Sequence, residues 1–551
     1  MKQGNWMAGL AIGAAAMACG PVSAQTLREK CEALASAAAA PDISQATFVA
    51  AGQLNFAGPP PVSISAPAHC LIQGALAPHV GIDGKNYAIG YELRLPENWN
   101  GKFVFQGGGG SDGVLRPAIG VQATGDTSAL AKGYAIASTD AGHRDEPGPI
   151  GPYLFGLDPQ ARADKGYNHI PVVTAQAEAL IRQVYGKPQS RAYFVGCSNG
   201  GRQGMAATQR YPSLFDGVVA GAPAYRVPRA AIEAMAEVQT LASIAPKGAD
   251  GRPDLGAALS MDDLKLVSAE ITKACDAADG LADGMVNDVK ACKFDPLALA
   301  CAAGQTGACL APEKANAIDR IFKGARLSGG GLLYSEWPYD PGIASPGWTA
   351  WKIGSPAKVP PDARNVTLVP GSVAYYFSTP PEKVTDLYQY TLSFDLDRGV
   401  RAVEAVVPPF TESGGSAEAA DSTDVDAFRQ HGGKMIFYHG MADPIFSAND
   451  TMAYVEALAK RYGASDDFTR LYLVPGMNHC AGGPATDQFD ALTALDDWVD
   501  KGRPPQRLIA KARDIPGVPW PGRTRPLCPY PGYARYSGAG SIEDAASFNC
   551  K

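Results

Sequence analysis

Several things are scarce in this chain, and each scarcity excludes something. After the first two dozen positions there is no run of eighteen uninterrupted apolar residues, so no later segment reads as a membrane-spanning helix. Charged residues make up only 19%, against 46% hydrophobic, a balance that excludes global disorder. Positive charge is in deficit, with 48 Lys and Arg against 55 Asp and Glu for a net −7, which excludes a nucleic-acid backbone as the main partner. No Gly-Lys-Ser/Thr follows the glycine run at 107–110, and no G-x-G-x-x-G comes with a ribose-binding acid, so no nucleotide or other organic cofactor is implied. There is no internal repeat. Histidine is scarce too, with seven in 551 residues, which narrows any search for a catalytic base.

Glycine and proline are abundant, at 62 and 44, but without a period, so the surplus means turns and ordered loops rather than collagen. The length allows two to four domains. Cysteine is present in an odd number, 11. Residues 1–24 account for the odd one. Lys2 gives a positive start, Trp6 to Gly20 is an Ala-rich apolar run too short to span a bilayer, and Val22-Ser23-Ala24 forms a small-residue cleavage site. A lipoprotein reading of Cys19 is disfavoured, because Ala16 stands where a larger aliphatic residue is usual. Cleavage after Ala24 removes Cys19 and leaves ten cysteines, an even number that suits a disulfide framework in an exported protein, periplasmic or extracellular.

Short apolar runs at 87–95, 102–106, 134–138, 192–196 and 215–222 read as strands. A helical pattern at 171–185 intervenes, and an Ala-rich stretch at 35–41 reads as a short helix. This rhythm predicts an α/β fold with a mainly parallel sheet covered on both faces. It breaks over 226–425, which is rich in Gly, Pro and Asp and carries one helical pattern near 229–245. It returns at 434–438 and 469–474. The expected organisation is a core in two parts, 25–225 and 426–551, interrupted by an inserted lid at 226–425.

Gly196-Cys197-Ser198-Asn199-Gly200 follows the strand at 192–196 and precedes a helical pattern, which is the strand–turn–helix context of a G-x-S-x-G nucleophile elbow. Ser198 is the expected nucleophile. On the α/β-hydrolase scaffold the acid and then the histidine follow the serine in the chain, which leaves His431, His439 and His479. His479 lies in a loop just after the strand at 469–474 and is the expected base. His439, at a strand end, reads as a packed hydrogen-bonding residue. Asp443, in the loop after the strand at 434–438, is the expected acid, with Asp450 the weaker rival. Cys197 precedes the serine and Cys480 follows the histidine, so contact between Ser198 and His479 would bring the two sulfurs together. A bridge across so long a loop would remove about 5–6 kcal/mol of chain entropy from the unfolded state and limit drift of the base. The oxyanion hole is expected at the N–H of Asn199 and in the glycine run 107–110, chiefly Gly109 and Gly110.

The motifs PENWNGKFVFQGGGG, STDAGH, GCSNGGRQ, YHGMADP, PGMNHC and RPLCPYPGYARY together resemble the tannase and feruloyl esterase family, over nearly the whole mature chain. The resemblance implies an α/β-hydrolase core with a large lid and hydrolysis of esters of aromatic acids. It also implies the pairings Cys31–Cys70, Cys275–Cys292, Cys301–Cys309 and Cys528–Cys550. It further implies a lid calcium held by the side chains of Asp276, Asp279 and Asp283 and the carbonyls of Leu281 and Met285. Three carboxylates in eight residues, with glycines 280 and 284 between them, suit a hard cation of this kind.

Of the lid aromatics, Trp337, Trp348, Trp351, Tyr375, Tyr376 and Phe377, most are expected in the lid's own core. Phe446, three residues after Asp443, is expected on the substrate ring, with Phe377 and Trp351 as further candidates. Arg364 or Arg326 could hold a substrate carboxylate. The branch of the family that acts on terephthalate monoesters often has Glu after the nucleophile. Asn199 departs from this, which favours phenolic esters, feruloyl or galloyl, with mono(2-hydroxyethyl) terephthalate second. Asp140 and His143 of STDAGH read as structural. A peptidase or polyester depolymerase on the same scaffold, or a non-catalytic calcium-stabilised binding protein, fits the large lid and complete triad less well. The partner is expected to be a small aromatic ester, met by a monomer that binds no nucleic acid and no membrane.

Overall fold

The computed structural model describes residues 1–2, 4, 25–36, 42–57, 61–305 and 307–551. The expected export segment from Asn5 to Ala24, Cys19 included, lies outside the described residues.

Nine strands form the central sheet: β1 (Gln45–Val49), β2 (His69–Val80), β3 (Asn86–Pro96), β4 (Lys102–Gln106), β5 (Ala135–Thr139), β6 (Arg191–Cys197), β7 (Gly217–Gly221), β8 (Lys434–Gly440) and β9 (Thr469–Val474). Their spatial order is β1-β2-β3-β5-β4-β6-β7-β8-β9. The first three pairings are antiparallel and the remaining five parallel. The reading of a mainly parallel sheet is therefore corrected at one end. β1 and β2 escape the sequence pattern because β2 carries His69, Pro78 and His79 and bulges between Leu76 and His79, while β1 is a half-exposed edge strand.

The parallel strands send alternate residues to two buried faces. Phe103, Phe105 and Phe194 enter one hydrophobic cluster, and Val104, Tyr193 and Val195 the other. The first face is covered by the helices His169–Tyr185 and Ala448–Tyr462, the second by Ala491–Lys501 through Leu492, Leu495 and Trp498. Among the described residues no helix is long and apolar enough to cross a membrane. A helix runs over Leu27–Ser36, upstream of most of the Ala-rich stretch expected to be helical at 35–41, whose residues 37–41 lie outside the described part.

The insertion leaves the sheet after β7 and returns at β8. It holds more helix than the one expected: besides Val227–Ala242 there are Met261–Cys275, Pro312–Lys323, Leu396–Glu404 and several single turns. Short helices opening on proline, such as Pro312–Lys323, hide among loop-like composition. Trp337 and Trp348 sit in the lid's own core with Leu264, Ile318 and Phe322. The far end of the insertion belongs to the hydrolase core, since Ala420 and Val425 pack beneath the sheet. All five disulfides form: Cys31–Cys70, Cys197–Cys480, Cys275–Cys292, Cys301–Cys309 and Cys528–Cys550.

Candidate active site

Three loops leave the C-terminal ends of parallel strands side by side. Cys197 at the end of β6 and Tyr438 in β8 both register with Gly221 of β7, so the loops after β6 and β8 emerge at one level. The first carries Ser198, at φ 63° and ψ −128°, a conformation that costs a non-glycine residue roughly 1–3 kcal/mol and marks a strained elbow. The turn is possible because a Cβ on Gly196 would come 2.5 Å from the carbonyl carbon of Gly200. The helix Asn199–Arg210 begins directly behind the serine.

Asp443 follows β8. Its Oδ1 accepts the N–H groups of Ile445 and Phe446 at 2.9 and 3.0 Å, and its Oδ2 lies 2.7 Å from His479 Nδ1. Burial pushes this carboxyl up, but the adjoining His479 and His439 outweigh it and hold it well below the usual carboxylate range. An ionised Asp443 keeps the imidazole proton on Nδ1 and leaves Nε2 as the basic nitrogen. The disulfide Cys197–Cys480 ties the residue before the serine to the residue after the histidine. His439 makes the structural contacts expected of it, to Thr451 Oγ1 and the Phe446 carbonyl. The rival acid Asp450 is paired with Arg226.

The glycine run contributes unevenly. The N–H of Gly107 donates to Val195 and that of Gly108 to Gln203 Oε1. Among the described residues the N–H groups of Gly109, Gly110 and Asn199 donate to no protein acceptor. They are the donors left for a developing oxyanion.

A cavity opens on the serine, lined by Gly110, Ser198, Asn199, Trp351, Phe377 and Phe446 among others. The Trp351 and Phe446 rings meet the His479 ring edge-on at 5.7 and 5.4 Å, so base and binding walls share one surface. Tyr375 sits with Tyr153 in a separate small cluster, while Tyr376 lines the cavity. Arg364 does not line it. Its exposed guanidinium lies 5.4 Å from the centre of the Trp351 ring. Arg326 does not line the cavity either, and donates to the Gly330 carbonyl. Asp140 takes the N–H groups of Gly90 and Gly142, and His143 stacks on Phe155 at 3.8 Å, both structural as read.

Sequence reasoning missed a buried polar network beneath the site. Lys165 Nζ bonds Glu418 at 2.8 Å, and Arg202 pairs with the same carboxylate at 3.1 Å. Arg202 Nε and Lys165 Nζ donate to Asn199 Oδ1 at 2.8 and 3.4 Å. The members come from three distant stretches of chain, and no local spacing could have joined them.

In the lid loop, Asp276 Oδ2 accepts the Gly284 N–H and Asp279 accepts from Leu281 and Asn287, as tight winding at the glycines predicts. Asp276 Oδ1 is buried without a partner, which fits a cation. Asp283 departs from the implied ligand set, because its carboxylate is engaged by Arg525 and lies near Arg523. Among the described residues no three His, Cys, Asp or Glu side chains converge as a ready-made metal cage.

The family model for tannase and feruloyl esterase matches residues 74–551. The chain belongs to this family. It is a carboxylic-ester hydrolase with an α/β-hydrolase fold. The esterase is 42% identical to the mono(2-hydroxyethyl) terephthalate hydrolase of Piscinibacter sakaiensis, over 92% of this chain and 88% of the relative. It is 28% identical to a probable feruloyl esterase B-1 of Aspergillus flavus, over 98% of each. In fold, the esterase is similar to feruloyl esterase B from Aspergillus oryzae, with a TM-score of 0.77 at 24% identity over 96% of this chain and 100% of that one. It is also similar to the tannin acyl hydrolase of Aspergillus niger, with a TM-score of 0.70 at 21% identity over 96% of each.

Proposed function

We propose that this esterase is an exported enzyme that cleaves small esters of aromatic acids, feruloyl or galloyl in type, through an acyl-enzyme on Ser198. The observation that carries the reading is the aromatic cavity whose walls, Trp351 and Phe446, touch the same histidine that Asp443 orients. The acyl ring packs against those walls and presents its carbonyl to Ser198. Ser198 Oγ attacks as His479 takes its proton, and the oxyanion is held by the N–H groups of Asn199, Gly109 and Gly110. His479 returns the proton to the leaving alcohol. Water then repeats the sequence to release the acid. Five disulfides support export. The test compares the enzyme and Ser198→Ala on methyl ferulate, methyl gallate, mono(2-hydroxyethyl) terephthalate and a short peptide ester. We expect the variant to lose at least about 10⁴-fold in kcat with an unchanged melting temperature. Full activity in Ser198→Ala would sink the mechanism.

Arg364 favours a second reading, an aromatic monoester bearing a free carboxylate such as mono(2-hydroxyethyl) terephthalate. Among the described residues its guanidinium has no carboxylate partner, and it stands on Trp351 beside the cavity. Under this reading Arg364→Ala raises KM for the terephthalate monoester about tenfold, the loss of roughly 1.4 kcal/mol, and leaves methyl ferulate unaffected. Equal effects on both substrates would remove the arginine's role.

We also propose that the lid loop binds Ca²⁺ through the side chains of Asp276 and Asp279 and the carbonyls of Leu281 and Met285, while Asp283 stays with its arginines. The ion would neutralise carboxylates and fix the loop.

A further inference from the structure

We propose that Asp112 is a positioning residue of the oxyanion hole, a strut that locks the glycine loop to the helix carrying the nucleophile. The inference rests on the reading of Ser198 as nucleophile. Asp112 is only 7% exposed and holds φ 61°, a left-handed conformation unfavourable for a residue with a Cβ although better tolerated by Asp than by most. That conformation turns its carboxylate inward. Oδ1 accepts from the side-chain amide of Asn199, and Oδ2 accepts from Gln203 Nε2 at 2.8 Å. Gln203 in turn uses its Oε1 to take the Gly108 N–H at 3.0 Å, and the Asp112 N–H donates to the Gly109 carbonyl at 3.1 Å.

The free donors of the hole therefore come from two chain segments, Gly109 and Gly110 on one side and Asn199 on the other, and Asp112 joins them, its N–H on the Gly109 carbonyl and its carboxylate on the Asn199 and Gln203 side chains of the helix. The loop is held on each side of its two free N–H groups. Asn199 is further fixed by Arg202 and Lys165 on its carbonyl oxygen, so its amide is oriented to donate to Asp112 and not the reverse. An oxyanion hole works by being in place before charge develops, and a glycine loop without a tie would have to be ordered at each turnover.

A strut that serves only the transition state has a signature that plain structural damage lacks. In Asp112→Asn and Gln203→Ala, kcat on methyl ferulate falls at least about tenfold while KM stays within about threefold. The rate of inactivation by an aryl phosphonate ester, whose adduct on Ser198 places an anionic oxygen in the hole, falls by the same factor as kcat/KM. Because the two residues act as one unit, the double variant costs no more than the worse single variant. The proposal is overturned if kcat stays within twofold in a folded Asp112→Asn, if the loss lies in KM alone, or if the two losses multiply. Wild-type enzyme that the phosphonate labels at Ser198 while Asp112→Asn reacts equally fast refutes the strut and leaves the nucleophile standing. Wild-type enzyme that is not labelled refutes the nucleophile.

Discussion

Ser198, Asp443 and His479 stand on loops leaving β6, β8 and β9, whose spacing the backbone hydrogen bonds set. Trp351, Tyr376 and Phe377, across the cavity from them, stand on short helical segments within a 200-residue insertion. The two walls of one site are thus held by different means. On the chemical wall a ladder of parallel strands fixes the loops, and a disulfide, an ionised aspartate and a buried polar network fix the side chains. On the binding wall, rings pack against rings, and the only covalent help is distant, at Cys275–Cys292 and Cys301–Cys309. The difference suits their tasks. Proton transfer and oxyanion stabilisation fail with displacements of about an ångström, whereas an apolar wall tolerates exchange and re-packing. Residues that change the substrate without changing the chemistry belong on the second wall.

The largest test of this contrast is on the chemical wall. Replacing Cys197 and Cys480 together with Ala should lower kcat by about 10–100-fold, because the base is freed to drift. Kinetics on methyl ferulate check this, and an unchanged kcat would show that strands and Asp443 alone suffice to place His479. The next test is on the lid. Chelation with EDTA should lower the melting temperature by several degrees before the initial rate falls, and added Ca²⁺ should restore it. Identical melting curves with and without chelator would remove the cation. The smallest effect is expected at Glu233, buried in the lid helix Val227–Ala242. Burial, then the charge of Glu237, pushes its carboxyl up from 4.5 to about 8. The native state therefore binds this proton more tightly than the unfolded chain, and stability drains away as pH rises from about 4.5 through about 8. Glu233→Gln should melt a few degrees above wild type at pH 9 and level with it at pH 5. A gain of the same size at both values would assign the effect to packing and not to charge.

Much of the chemical wall was legible before any tertiary information. The strands at 102–106 and 469–474 match their expected bounds, and the chain order serine, aspartate, histidine picked the aspartate and histidine now found hydrogen-bonded to each other. Local rules suffice there, since a buried parallel strand is a short apolar run and an elbow needs glycines at fixed offsets. The lid was read least well. Its short helices carry too few turns to show a period, and their packing with one another replaces the intrinsic signal. Arg364 was a candidate without a place until the fold set it on Trp351. Asp283 was read with the other two carboxylates, but Arg525 and Arg523 reach it from the C-terminal tail, some 240 positions away.

The sequence by itself indicated the class of fold, the serine elbow with the aspartate and histidine proposed to serve it, and the adjacency that made Cys197–Cys480 foreseeable. Each of these is written in residues near one another in the chain or in a fixed chain order. Only the tertiary structure decided which glycines keep free N–H groups, which aromatics face the cavity, and that Asp112 joins the loop to the helix. Those depend on buried hydrogen bonds between distant segments, and a buried polar group takes whichever partner the fold brings within reach.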